Sequence, residues 1–212
     1  MPERFEVACV VVGMLQGNCY LVRLADSGEG LVIDPGDQAD VIAREIKGFK
    51  LRPEAILLTH GHIDHANAAA ELRDRLKARV VCHKLDAPLV RARDEEDDLF
   101  GMTHKPCPVD QEVSDGDVLA VGGAEVAVLH TPGHTRGSVC YVLGGILFSG
   151  DTLFQGSIGR TDLPGGSERQ MRSTLMDRIA KLDDRVVVFP GHGPRTTIGE
   201  EKQYNPFLQA QW

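Results

Sequence analysis

No apolar run in this sequence approaches the roughly 18–20 residues needed to cross a bilayer, which excludes a membrane-spanning helix. No Cys-x-x-Cys pair is present either. The five cysteines, Cys9, Cys19, Cys82, Cys107 and Cys140, are odd in number and widely spaced, as expected of reduced thiols rather than a disulfide framework. A long basic run is also missing, and the formal net charge is −8, which argues against nucleic acid or an anionic membrane as partner. Met1-Pro2-Glu3-Arg4 lacks the basic start of a secretory signal, and the apolar stretch behind it is short. The expected location is therefore the cytoplasm. Linkers, low-complexity tracts and obvious repeats are absent too, so residues 1–212 are expected to form a single domain.

What is present is an ordinary globular composition, 42% hydrophobic and 25% charged. Apolar β-type runs at Phe5–Val12 and Cys19–Leu24 flank Gly17-Asn18 as a hairpin would. Further short strands are expected at Leu31–Ile33, Ala55–Leu58 and Val80–Cys82, with helices at Ala39–Lys47, His65–Lys77 and Leu85–Arg93. Asp94 to Gln111, with the acidic run Asp94–Asp98, reads as a solvated loop, with a flap over a site as the alternative. A strand meander follows over Val118–Val121, Glu125–Leu129, Val139–Leu143 and Ile146–Phe148. Ser167 to Gln170 fits a capping box for a helix reaching Leu182, and Arg185–Phe189 is a last strand. This order suits an α/β (α+β) protein of two mixed sheets packed face to face with helices outside, a four-layer αββα sandwich. A continuous parallel sheet is disfavoured by the meander.

The chemistry concentrates in Thr59-His60-Gly61-His62-Ile63-Asp64-His65, directly after a strand and before a helix. In an extended segment residues i and i+2 project to one side, so His60 and His62 can reach one metal together. Asp64 and His65 fall where the chain turns into the helix and can serve a second position. Imidazole and carboxylate are the usual ligands of zinc and related divalent metals. Three more candidates, His134, Asp151 and His192, each stand beside glycine at a strand end, in Pro132-Gly133-His134, Ser149-Gly150-Asp151 and Pro190-Gly191-His192. His83 and His104 lie outside these motifs and read as non-ligands.

This set resembles the signature of the metallo-β-lactamase superfamily, over nearly the whole chain from Asn18-Cys19-Tyr20 through Asp34-Pro35-Gly36 to Pro190-Gly191-His192. The resemblance implies the αββα sandwich and two divalent ions, zinc first, with iron or manganese as alternatives. It places one ion on His60, His62 and His134, the other on Asp64, His65 and His192, and Asp151 between them. A metal-activated water would be the nucleophile, oriented by Asp64 as the catalytic residue. Asp34 and His130 are expected to fix imidazole orientation from behind the ligands.

Within the superfamily the chain is most similar to the short bacterial glyoxalase II-like (hydroxyacylglutathione hydrolase) type, through Asp151-Thr152-Leu153-Phe154 and Gly156 to Asp162. That implies a small acyl thioester such as S-lactoylglutathione as substrate, with Arg160 at the position of the family's glutathione-contacting basic residue. Asp162 stands where an aromatic residue is expected, and Gly193-Pro194 where Glu-Tyr often follows the last histidine. No counterpart of the helical C-terminal region of the long enzymes is expected in the residues after His192. The glutathione moiety is left open accordingly. Alternatives on the same scaffold are a mononuclear-iron persulfide dioxygenase and another metallohydrolase such as a lactonase or phosphodiesterase. Oligomeric state is not legible.

Overall fold

The computed structural model describes residues 5–92, 105–121 and 123–209. The acidic run Asp94–Asp98, the flap alternative built on it, and His104 lie outside those residues. The first half of the chain forms β1 (Phe5–Val12), β2 (Gly17–Leu24), β3 (Glu29–Ile33), α1 (Ala39–Gly48), β4 (Arg52–Leu57), α2 (Ile63–Ala66), α3 (Ala69–Leu76), β5 (Arg79–His83), α4 (Ala87–Arg91) and β6 (Gln111–Val113). The second half forms β7 (Val118–Val121), β8 (Ala124–His130), β9 (Val139–Leu143), β10 (Ile146–Gly150), α5 (Glu168–Asp177), β11 (Val187–Pro190), β12 (Thr196–Thr197) and α6 (Ile198–Tyr204).

Two six-stranded sheets result, in the orders β1-β2-β3-β4-β5-β6 and β12-β11-β10-β9-β8-β7. In the first, β1 to β3 pair antiparallel and β3 to β6 parallel. In the second only β10 and β11 run parallel. The sheets are mixed because the connections through α1, α3 and α5 are crossovers, whereas the meander β7–β10 turns back directly.

Period-2 alternation sorts each strand between two cores. On β4, Ala55 and Leu57 face the second sheet beside Tyr20, Val81, Tyr141 and Phe148, whereas Ile56 faces outward with Ile42, Leu72 and Val90 of the helices. The outer face of the second sheet is covered by Met171 and Leu175 of α5, Ile179, and Ile198 of α6. This is the four-layer αββα arrangement.

Three details differ from the sequence expectation. The helix expected over His65–Lys77 is two pieces, α2 and α3, with the ladder broken at Asn67 and Ala68, where the Ala68 N–H bonds the Pro35 carbonyl at 2.9 Å. The helix expected to reach Leu182 stops at Asp177 and tightens into a single turn at Ile179–Lys181. Ser167 does cap α5, accepting from the Gln170 N–H, but the full reciprocal capping box is at Thr197 and Glu200, at the head of the unanticipated α6.

Candidate metal centre

The parallel strands of both sheets end at one rim, and the candidate ligands stand there. His60 and His62 follow β4, Asp64 and His65 lie on α2, His134 follows β8, Asp151 follows β10 and His192 follows β11. Each sheet therefore contributes part of one cluster. Glycine makes the crowding feasible. Gly150 holds φ +48°, and a Cβ on Gly191 would come 2.2 Å from Asp151 Oδ1.

The seven side chains converge. The ligand atoms of His60, His62 and His134 lie within 4.8 Å of one another, as do those of Asp64, His65 and His192. His134 Nε2 is 2.9 Å from His62 Nδ1, and His65 Nε2 is 3.2 Å from His192 Nε2. Asp151 sits between the groups, with Oδ1 3.4 Å from His65 Nε2 and Oδ2 3.6 Å from His134 Nε2. Asp64 Oδ2 is 3.3 Å from His192 Nε2.

The outward ring nitrogens fix which lone pairs face inward. His65 Nδ1–H donates to Asp34 Oδ2 at 3.0 Å, and His134 Nδ1–H donates to the Arg160 carbonyl at 2.7 Å. His60 Nδ1–H donates to Thr59 Oγ1 at 3.1 Å, whose own hydroxyl donates to Asp34 Oδ2 at 2.6 Å. These tautomers leave Nε2 of His60, His65 and His134 as acceptors turned toward one another. Two buried atoms there, His60 Nε2 and Asp151 Oδ1, have no hydrogen-bond partner. Orphaned acceptors facing other acceptors are costly unless a cation lies among them.

Charge points the same way. Burial, reinforced by neighbouring imidazoles, holds His60 well below the usual histidine range and His62 down to about 4. Burial opposes charge on His65 too, but Asp64, Asp151 and Asp34 outweigh it and hold that imidazole up to about 10. Burial raises Asp151, while the imidazoles around Asp64 overcome its burial and keep it well below the carboxylate range. The carboxylates thus demand positive charge inside the cluster, and a divalent cation meets that demand without a protonated imidazole. The donor set, nitrogen and carboxylate oxygen, fits such a cation.

The grouping Asp34, His60 and His65 is also compact. Asp34, however, spends its oxygens on Thr59 N–H at 2.7 Å, the Thr59 hydroxyl and His65, so it braces the cluster from behind. His130 does not orient any of the seven. Its ring stacks on His83 at 4.3 Å, and its Nε2–H donates to the Arg136 carbonyl at 2.9 Å. Its place at the end of β8 makes it a clasp on the loop after His134. The Arg160 side chain is exposed and held by Asp162 through two 2.9 Å bonds.

Some site residues were not anticipated. Thr59 relays Asp34 to His60 and was hidden in plain view within the histidine motif. Asn18 holds the His192 loop through the Pro190 and Gly193 carbonyls, at 2.9 and 2.8 Å. Phe154 presents its ring edge-on to His192 at 5.9 Å.

Comparison with known proteins agrees with this architecture. The chain belongs to the metallo-beta-lactamase superfamily, whose family model matches residues 12–192. The hydroxyacylglutathione hydrolase GloC of Haemophilus influenzae is 33% identical over 97% of this chain and 99% of its own. The crystal structure of the BLEG-1 B3 metallo-beta-lactamase superposes with a TM-score of 0.89 at 37% identity, covering 98% of this chain and all of that one (100%). TTHA1623, solved in a di-iron-bound form, superposes with a TM-score of 0.83 at 39% identity over 95% of this chain and 100% of its own. The chain is thus a metallohydrolase of this superfamily, and no helix among its described residues is long and apolar enough to cross a membrane.

Proposed function

We propose that the protein is a binuclear metallohydrolase of acyl thioesters, with S-lactoylglutathione as the first substrate to test. In this reading His60, His62 and His134 hold one divalent ion, Asp64, His65 and His192 hold the second, and Asp151 is shared. The observation that carries it is the inward convergence of acceptor atoms, with His60 Nε2 and Asp151 Oδ1 buried and unpartnered. Similarity to GloC supports the thioester class. Zinc is the proposed metal. The di-iron form of TTHA1623 makes iron the first alternative.

When bound, a pair of such ions supplies a water of lowered pKa and polarises the substrate carbonyl. The chain supplies the rest. Asp64, held ionised by the imidazoles around it, would help hold the second ion and could accept a hydrogen bond from an attacking water and orient it. Asp34 and the Arg160 carbonyl hold two outward Nδ1–H groups, so the inward nitrogens keep their lone pairs. Phe154 flanks the site, its ring edge-on to His192. The departing thiolate, with a conjugate-acid pKa of about 8.5, leaves without a general acid from the protein. Arg160 pairs with Asp162 through Nε and one terminal nitrogen on an exposed surface, so an anionic carrier would meet its remaining guanidinium donors or compete with that carboxylate.

The test is a panel of glutathione and non-glutathione thioesters, a lactone, a phosphodiester and a β-lactam, assayed with zinc-, iron- and manganese-loaded protein. The expected result is a thioester kcat/KM above every other class. Preference for the lactone or β-lactam would remove the thioester assignment. Oxygen consumption with a persulfide, in place of thioester cleavage, would move the protein to the dioxygenase alternative.

A further inference from the structure

Asp86 lies between β5 and α4, outside every motif, and its side chain is buried with 1% of the residue exposed. Its Oδ2 accepts from the Gly61 N–H at 3.0 Å and from the Thr135 hydroxyl at 2.6 Å. Its Oδ1 accepts from the Gly137 N–H at 2.7 Å. One carboxylate therefore ties the peptide between His60 and His62 to the segment directly after His134. The approach is so close that a Cβ on Gly137 would fall 2.5 Å from Asp86 Oδ1. Ser138 completes the knot, its hydroxyl 2.7 Å from that of Thr135 and accepting from the Thr135 N–H at 3.0 Å.

The division of labour with Asp34 is what makes this informative. Asp34 reaches His65 directly and His60 through Thr59. Asp86 makes its three bonds to backbone and hydroxyl donors of the two segments that carry His60, His62 and His134. Those segments come from different sheets and are joined here by charge-assisted hydrogen bonds, the stronger kind, in a site without water competition. Holding ligand segments in register is how partners behind the ligands raise metal affinity.

We propose that Asp86 is a positioning residue for the three-histidine half of the centre, setting that half's affinity for a divalent cation separately from the half containing Asp64, His65 and His192. This rests on the two-ion reading above. Asparagine at position 86 keeps the volume but has one acceptor oxygen, so its amide must oppose a donor from Gly61 or Gly137 and part the two segments. Thr135→Val removes one of the three bonds and leaves the carboxylate in place.

The experiment is calorimetric zinc titration of chelator-stripped full-length protein, run on the parent, Asp86→Asn and Thr135→Val, with thermal unfolding of each apo form. Cobalt absorption spectra report the two halves separately. The parent is expected to take two zinc ions. Asp86→Asn is expected to weaken one of them by about 10–100-fold and leave the other within about 2-fold, and cobalt bands of the three-histidine half are expected to fade first. Thr135→Val is expected to act in the same direction by a smaller factor, and it decides the matter if Asp86→Asn does not fold. Parental affinity at both positions in both variants would overturn the proposal. So would equal weakening of both positions in step with lost apo stability, which is the mark of a merely structural residue. A parent that takes up no zinc would instead overturn the two-ion reading itself.

Discussion

Asp34 governs two imidazoles at once. It holds φ +49° without being glycine, a conformation that costs on the order of 1–3 kcal/mol and persists only where the surroundings impose it. The surroundings here are three donors, Thr59 N–H, the Thr59 hydroxyl and His65 Nδ1–H. Asp34→Asn would tolerate the backbone but present an N–H to His65 Nδ1, pushing that ring toward the tautomer with its proton on Nε2. Zinc affinity is expected to fall about 10–100-fold, read by competition with a chromogenic chelator. A second prediction concerns His83. Burial, with His130 stacked on it, lowers its imidazole to about 4. The unfolded chain takes up that proton near the ordinary value of about 6.5, the folded chain only near 4. Stability from this position is therefore complete above pH 6.5 and is lost as pH falls from 6.5 toward 4. His83→Gln should flatten that part of the urea-midpoint profile of the chelated protein relative to the parent. The histidine motif itself was readable because its members are local and each follows a strand. Asp86 was not, because its partners lie 25, 49 and 51 residues away and aspartate in a turn is unremarkable. His130 was misassigned for the converse reason. It sits four residues before His134 in sequence, but its ring leaves the end of β8 toward β5.

α6 is the element whose role the sequence hid. Its Glu201 is buried and accepts from the Gly156 N–H at 2.8 Å, the Thr196 hydroxyl at 2.7 Å and Asn205 Nδ2 at 2.8 Å. Asn205, just past the helix, donates to the Ser157 carbonyl at 3.0 Å. Together they pin the turn that carries Phe154 beside His192. Glu201→Ala removes the acceptor shared by three donors, of which Thr196 keeps Glu200 at 3.1 Å and Asn205 keeps the Ser157 carbonyl at 3.0 Å, and should cost about 1–3 kcal/mol, a few net hydrogen bonds at about 0.5–1.5 each, measured by urea unfolding. Amide exchange should rise at Gly156 and Ser157 while β10 stays protected. The main strands were legible because β8 alternates, β4 ends in a short continuous apolar run and β9 consists of one. β6 and β12 were not, at three and two residues, since so short a run carries no period. α6 escaped because its apolar face is small, with Ile198 its main aliphatic contribution to the core, and because much of its anchoring is polar. The break between α2 and α3 was invisible for a related reason. Alanine-rich sequence favours helix through Asn67 and Ala68, and the interruption depends on a distant partner, since the Ala68 N–H bonds the Pro35 carbonyl at 2.9 Å.

At the scale of the molecule, four candidate ligands belong to the first sheet's half and three to the second. Chelation should therefore loosen the whole sandwich. At a free zinc concentration 100 times the dissociation constant, binding contributes about 2.7 kcal/mol. For a chain of this size each kcal/mol is worth about 2–4 °C, so removing metal is expected to lower the melting temperature by about 5–10 °C in a scanning experiment. A rise or no change would mean that the inward acceptors are satisfied some other way. The seam also imposes an order of events on the newly made chain. His60 and His62 can be in place once the first half has formed, but His134, Asp151 and His192 arrive only with the second. In the proposed two-ion reading, full capture waits for the halves to dock, and the rate of metal uptake during refolding would be a clock for that docking step.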